Sequence, residues 1–480
     1  MDSLVELVTD VNDAYWYAVI VLLVGLGLYF TVRSRFVQIR LLPDMLRSVT
    51  EPAETLPDGE KGISAFRAFS ISAASRVGTG NIAGVAIAIS VGGPGAVFWM
   101  WVMALIGAAT AFVESTLAQV YKIRDKDGGF RGGPAYYMLH GLRRRWMGVI
   151  FAVIITVTYG FVFNAVQTNS IVDAVSTSVG EDSRALSIVV GLVVAGLTAA
   201  VIFGGVRRIS AVSQVVVPVV AGAYLVIALI VVALNITEVP GMIRLVVENA
   251  FGIREVVSGG FAAAFMQGIR RGLFSNEAGM GSAPNAGATA AVPHPVKQGL
   301  VQSLGVYFDT LLVCTATAFI ILLSNPDYGT KAGASLTQNA LSAQLGGWTV
   351  HFLTFAIFFL AFTSVIGNYY YGESNIEFLT GSRRVLQGFR AIVVVCVFAG
   401  AVGSLPLIWA LADLVMGVMA TVNLAALLPL SGVAFLLFGH YRRQRAEGKD
   451  PTFHRDEVPE ISGIQVWDEA PEDGRISTHG

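Results

Sequence analysis

The chain has 480 residues, 54% of them hydrophobic and only 14% charged, with a mean hydropathy of +0.65. A soluble globular protein carries roughly a quarter charged residues, so most of this chain has lipid rather than water as its solvent. The formal net charge of -1 argues against a nucleic-acid partner, and two cysteines, Cys314 and Cys396, both inside apolar runs, argue against a disulfide framework.

The first apolar run, Trp16 to Val32, follows an acidic stretch of Asp2, Glu6, Asp10 and Asp13. A secretory signal has a basic n-region and a small-residue cleavage site, so this run reads as a retained membrane helix. A span of about 20 apolar residues crosses the hydrocarbon core. By that rule the chain holds about 11 spans, at about 15–33, 65–91, 95–121, 147–177, 184–204, 211–235, 258–286, 298–323, 347–372, 388–404 and 406–438.

The connections alternate in charge. One set carries Arg33, Arg35, Arg40 and Arg47, then Lys122, Arg124, Lys126 and Arg143 to Arg145, then Arg207, Arg208, Lys297, Arg383, Arg384, Arg442 and Arg443. The other set holds only Arg184, Arg244, Arg254 and Lys331. The positive-inside rule then puts the N-terminus outside and the C-terminus in the cytoplasm of a multi-pass cytoplasmic-membrane protein, which agrees with an odd number of spans. The tail after His440 is rich in Glu, Asp, Pro and Gly and is expected to be poorly ordered.

Two spans are interrupted. The second contains Ser75-Arg76-Val77-Gly78-Thr79-Gly80-Asn81-Ile82-Ala83-Gly84, and the seventh contains Phe274-Ser275-Asn276-Glu277-Ala278-Gly279-Met280-Gly281-Ser282. Glycine costs about 1 kcal/mol in a helix interior and permits non-helical dihedrals. Unwound backbone is tolerated at membrane depth only where it faces protein, water or a ligand. Half-helix N-termini attract a carboxylate, and freed carbonyls suit a small cation, so an amino acid and a sodium ion fit such breaks. Close helix packing by small residues is the plainer explanation for either break alone. Two breaks five spans apart instead fit a five-helix unit repeated with inverted topology, residues 64–238 and 255–438. The first helix, within 1–34, lies outside the repeat, and 440–480 forms a polar cytoplasmic tail.

The run Gly78 to Gly84, continuing through Gly92-Gly93-Pro94-Gly95-Ala96, resembles the hallmark of the alanine or glycine:cation symporter family. Arg131-Gly132-Gly133-Pro134-Ala135-Tyr136-Tyr137, Arg271 through Gly279, Asp309-Thr310 with Cys314-Thr315, and Tyr369-Tyr370-Tyr371-Gly372-Glu373 are similar to its other motifs. The resemblance runs from about residue 15 to residue 440. It implies an all-α membrane protein of the leucine-transporter-like 5+5 inverted-repeat fold with two broken helices, and symport of alanine or glycine with sodium or protons.

On that basis the substrate carboxylate is expected at Thr79 and Gly80, with Asn81 either ligating sodium or orienting the loop. Ser275, Asn276, Gly279 and Gly281 would line the opposite wall, and similarity to the broader fold sets Phe274-Ser275 near substrate and ion. The same similarity implies a sodium site from Ala74 and Val77 before the break and the adjacent hydroxyls of Thr363 and Ser364, whose plainer role is a bond back to the helix. Phe163 and Gln167 share a helix face and either wall the pocket or pack. Asn368 stands where some family members carry a large aromatic, which leaves the substrate's identity open.

Arg76, Glu114, Arg270, Arg271, Glu277, Asp309 and Asp413 fall in or near apolar spans, where charge is costly and normally paired. Glu277 either binds a cation or pairs with Arg76. Arg270 and Arg271 form an outer gate or an ion-pair network. Glu114 and Asp309 read as scaffold partners. A channel would repeat a short filter segment, an enzyme would cluster nucleophile and base, and a pump would carry a phosphate loop. The six histidines, at 140, 294, 351, 440, 454 and 479, form no ligand-spaced cluster. The reading is a symporter, not an enzyme. It imports alanine, glycine or D-alanine by alternating access, with Na⁺ as coupling ion and no cofactor; proton coupling is the alternative and a channel the more distant one.

Overall fold

The computed structural model describes residues 2–55, 61–125, 128–254, 257, 259–326, 328–329 and 333–467. In lipid a chain satisfies its own amides and carbonyls, and for long apolar runs the helix does so within one segment. The long helices are α1 (Asp2–Arg33), α2 (Ala65–Arg76), α3 (Gly80–Gly92), α4 (Gly95–Val120), α5 (Arg145–Val179) and α6 (Arg184–Ile202). They continue with α7 (Gly205–Leu234), α8 (Gly260–Asn276), α9 (Pro295–Leu322), α10 (Trp348–Leu379), α11 (Arg383–Val402) and α12 (Leu405–Ala446). Among the described residues nine helices are singly long and apolar enough to cross a membrane, and α2 with α3 makes a tenth, bent by 52°.

The span expected at 258–286 differs. Helix α8 stops at Asn276, because Glu277 turns left-handed at φ 57°, and a short helix Ala283–Gly287 follows only after a turn. Short helices at Leu42–Thr50, Pro134–His140, Val239–Ala250 and Ala334–Leu345 occupy segments that the sequence reading leaves as connections. They are too short to span and show no long apolar run. Lys126 and Lys331, and the side chain of Arg207, lie outside the described residues.

Helix α4 is the central post, with 72% of its apolar window buried against 33% for α6 and 28% for α11. Its small residues let α8 and α9 approach closely: Ala278 Cβ lies beside Gly107, and the Ser303 hydroxyl donates to the Ala108 carbonyl at 2.8 Å. The outer helices turn Val189, Leu192, Val219, Leu229 and Val395 outward, as lipid contact requires. Helix α10 packs on α5 and α7, α6 on α11, and α1 on α12.

The tail is not wholly loose. Residues 451–467 fold back over the bundle end that carries Lys122 and Lys297. There the Phe453 amide donates to the Pro293 carbonyl at 2.9 Å, and the Trp467 indole donates to the Gln119 carbonyl at 3.1 Å. The buried Lys122 ammonium sits 3.9 Å from the Phe130 ring centre and 4.6 Å from that of Trp467. Lys297 bridges Glu51 and Asp450, each at 2.8 Å. Composition alone missed this because a few apolar residues, Phe453, Val458, Ile461 and Trp467, supply the anchor within a polar segment. Trp467→Ala removes an aromatic anchor of this strap, a loss of about 3 kcal/mol for a buried Trp. Limited trypsin digestion is expected to cut the tail several-fold faster in that variant, and an unchanged rate would mean the strap is held elsewhere.

Candidate functional site

Helix α2 ends at Arg76 because the next residues, Val77 and Gly78, leave the helical path. Val77 sits at φ -85°, ψ 84°, and helical turns resume at Gly80 as a wide π-type stretch through Gly84. The freed amides are satisfied by side chains: Gly78 N–H donates to Asn81 Oδ1 at 2.9 Å, and Thr79 N–H donates to Gln167 Oε1 at 3.1 Å. Two glycines are required here by space. A Cβ on Gly78 would collide with the Ser364 hydroxyl and approach Gln167 Oε1 to 2.9 Å, and one on Gly80 would meet the Phe274 ring at 2.8 Å.

The second break follows Asn276. Glu277, Gly279 and Gly281 all take positive φ, at 57°, 92° and 80°. A non-glycine residue in that region costs about 1 kcal/mol or more, so the surroundings must hold it. The Asn276 carboxamide oxygen accepts from Ala278 N–H at 3.0 Å, and Glu114 accepts from Gly279 N–H at 3.2 Å and from Asn423 Nδ2 at 3.0 Å. Asn423 also donates to the Gly279 carbonyl at 2.9 Å and accepts from the Tyr137 hydroxyl. Glu114 is therefore a brace of the break.

Between the breaks the side chains fall into three groups. Phe163, Phe274 and Trp409 pack in a row beside Gly80, their rings tilted by 43° and 42° with centres 4.8 and 4.9 Å apart. Arg271 lies over Trp409 at 5.0 Å and pairs with Asp413, while Arg270 pairs with Asp13 at 2.7 Å. Each arginine thus sits in its own ion pair, Arg271 against the aromatic row and Arg270 over Trp16 at 5.3 Å. Beside it, Asn81 Nδ2 contacts Ser275 Oγ at 3.0 Å and the Asp309 carbonyl at 3.1 Å. The third group surrounds Ala74, whose carbonyl accepts from the Ser364 hydroxyl at 2.8 Å.

Of the residues singled out from the sequence, Thr79, Gly80, Asn81, Phe163, Gln167, Phe274, Ser275 and Asn368 come together around the first break. Asn81 orients the loop, since both ends of its carboxamide are engaged. Gly279 and Gly281 stand elsewhere: Gly279 packs on Leu424, Thr110 and Leu23, and Gly281 on Pro134 and Asn423, because the chain turns away after Glu277. Asn276 is likewise turned toward its own turn and toward Gly107. The Ser364 hydroxyl meets the Ala74 carbonyl, and both Thr363 and Ser364 also bond back to the Leu360 carbonyl, at 2.8 and 3.0 Å. An Arg76–Glu277 pair is not found among the described residues. Arg76 pairs with Asp309 at 3.5 Å and also reaches Ser72 and Gln302, each at 3.2 Å. The reason is geometric: the π-type stretch Tyr307–Cys314 in α9 turns Asp309 inward beside Arg76.

The sequence reading missed Trp409, Tyr137, Asn423, Ser282, Tyr159 and Tyr371. Tyr137, Ser282 and Tyr371 stand in motifs quoted from the sequence but drew no role, and Trp409 had a signal in lying one helical turn before Asp413 on the same face.

A model of the sodium:alanine symporter family matches residues 1–455. The chain is 50% identical to the amino-acid carrier protein AlsT of Bacillus subtilis, over 97% of this chain and 98% of that protein. It is 48% identical to the probable sodium/glutamine symporter GlnT of the same organism, over 100% of this chain and 99% of that protein. Among solved structures, the crystal structure of MhsT in complex with L-phenylalanine superposes with a TM-score of 0.53 at 12% identity, over 79% of this chain and 98% of that chain. That likeness is one of fold, the leucine-transporter-like architecture.

Removing one partner of a buried ion pair typically costs about 3–5 kcal/mol. Asp413→Ala is therefore expected to lower the thermal unfolding midpoint in detergent by several degrees, with Asp413→Asn closer to the parent. Equal midpoints for all three proteins would show that the Arg271 pair is not structural.

Proposed function

From the premise that the chain belongs to the sodium:alanine symporter family, we propose that it imports a small neutral amino acid together with sodium, by alternating access across the cell membrane. The observation that carries this reading is the pair of facing breaks. At one, the Thr79 amide at a half-helix start is held by the Gln167 oxygen, an acceptor that a substrate carboxylate can replace. One residue before Ser75, the Ala74 carbonyl and Ser364 hydroxyl offer neutral oxygens suited to a hard cation. The substrate class is alanine, glycine or D-alanine. The aromatic row of Phe163, Phe274 and Trp409 against Gly80 favours a short side chain. Sodium and substrate each order the same broken backbone, so each favours binding of the other.

In this reading residues 64–238 and 255–438 are inverted repeats, the N-terminus is outside, and the basic connections and the tail are cytoplasmic. Proton coupling is the second reading. It is favoured by Glu277, a buried carboxylate that makes no ion pair among the described residues.

The purified protein in liposomes is expected to accumulate labelled alanine under an inward Na⁺ gradient and not when K⁺ replaces Na⁺. Uptake driven by a proton gradient alone would shift coupling to the second reading, and glutamine accumulated in place of alanine and glycine would correct the substrate. Ser364→Ala is expected to raise the Na⁺ concentration for half-maximal uptake about tenfold, equivalent to one lost ligand at about 1.4 kcal/mol. An unaltered Na⁺ dependence would remove Ser364 from the ion site.

A further inference from the structure

Among the described residues five carboxylates are buried among the membrane helices: Glu114, Glu277, Asp309, Glu373, which is paired with Arg390, and Asp413. Asp413 is paired with Arg271 and Asp309 with Arg76. Glu114 makes no ion pair among the described residues, but its two oxygens accept from the Gly279 amide and the Asn423 carboxamide, so fixed N–H donors balance its charge. Glu277 differs from the other four. Its contacts are hydroxyls only: Ser75 Oγ lies 3.0 Å from Oε1, and Ser282 Oγ donates to Oε2 at 2.6 Å.

The Ser75 hydroxyl also lies 2.6 Å from Asn368 Oδ1, and its single proton serves one acceptor at a time. With the Asn368 carboxamide turned over, Nδ2 would donate to Ser75, but the carboxylate charge would remain uncompensated. Two more oxygens face the same place. Tyr159 faces Glu277 and Ser282, Tyr371 faces Ser75 and Glu277, and their rings meet edge to face at 5.1 Å. Both hydroxyls are fully buried and lack a hydrogen-bond partner among the described residues. The neighbouring charges are Arg76 and Asp309, already engaged with each other.

A buried carboxylate ringed by hydroxyl and carboxamide oxygens, with no ion-pair partner among the described residues, offers the oxygen-lined, unbalanced negative charge that suits a hard monovalent cation. We propose that Glu277, Ser75, Ser282 and Asn368, with the hydroxyls of Tyr159 and Tyr371, form a second sodium site between the two breaks. It lies next to the site at Ala74 and Ser364. This extends the symport reading above and rests on it for the identity of the ion. Ser75 follows Ala74 directly, so one short segment of unwinding α2 contributes to both ions, and Glu277 ties that segment to the end of α8. Filling both sites locks the breaks together, which makes sodium binding cooperative. The left-handed Glu277 is held in its strained conformation by the same contacts.

The test is direct binding of radiolabelled Na⁺ to the purified full-length protein, which needs no transport and so remains readable if the amino-acid assignment fails. Wild type is expected to bind about two Na⁺ per chain, Glu277→Gln about one, and Ser364→Ala to weaken the other site about tenfold. Tyr371→Phe, which removes one hydroxyl and keeps the ring, is expected to weaken binding several-fold and guards against a folding defect in the Glu277 variant. Wild-type stoichiometry and half-saturation in both folded variants would overturn the inference. So would a Glu277→Gln protein that keeps its sodium but loses a proton exchanged on substrate binding, since that assigns Glu277 to a proton.

Discussion

A helix interrupted in a hydrocarbon slab leaves amides and carbonyls that no lipid can satisfy, and the centre of this molecule is arranged around that requirement. Each break is answered by side chains from other helices. Asn81 and Gln167 accept the amides after α2, while Glu114, Asn423 and Asn276 hold the turn after α8. None of these partners is dispensable in the way a surface hydrogen bond is, because a buried polar group left alone costs about 1–3 kcal/mol or more. The breaks are thus stable enough to exist, yet their partners are side chains that can exchange one acceptor for another. A bound carboxylate or cation can take over part of the same duty.

The second organising feature is how charge is divided. Arg271 with Asp413 and Arg76 with Asp309 are self-contained pairs that join α8 to α12 and α2 to α9. Such pairs add little net stability over apolar packing but penalise any state that separates them. The first pair is stacked on the aromatic row, so opening that side of the site means parting an ion pair and an aromatic contact together. At the other end, the strap of residues 451–467 covers Lys122 and is tied through Asp450 to Lys297. Both ends of the bundle therefore carry contacts whose rupture can be coupled to what happens at the breaks.

Much of this was legible in the sequence. The apolar runs alone located most of the long helices, because about 20 apolar residues have one stable form in lipid, but overran α8 by ten residues and stopped short of the ends of α10 and α12. The motifs around Gly78 and Gly279 marked both breaks, since glycine and small polar residues within a span signal backbone that is not helical. The i, i+4 spacing of Phe163 and Gln167 put both on the face that meets Thr79 and Phe274. Less legible was the route of the chain after Asn276. A single left-handed residue, Glu277, redirects Gly279 and Gly281 away from the site, and no local pattern announces that a glutamate will take that conformation.

What the sequence determined by itself was the class of molecule, the positions of its helices and the two places where they must fail. Those are properties of composition and period, read within about 20 residues of chain. Partner choice was decided only by the tertiary structure. Arg76 takes Asp309 rather than Glu277, Gln167 meets Thr79 across 88 residues, and Ser364 reaches Ala74 across 290. Buried charges and freed amides choose among all groups that packing brings within about 3 Å, and that choice is a property of the assembled helices, not of any one of them.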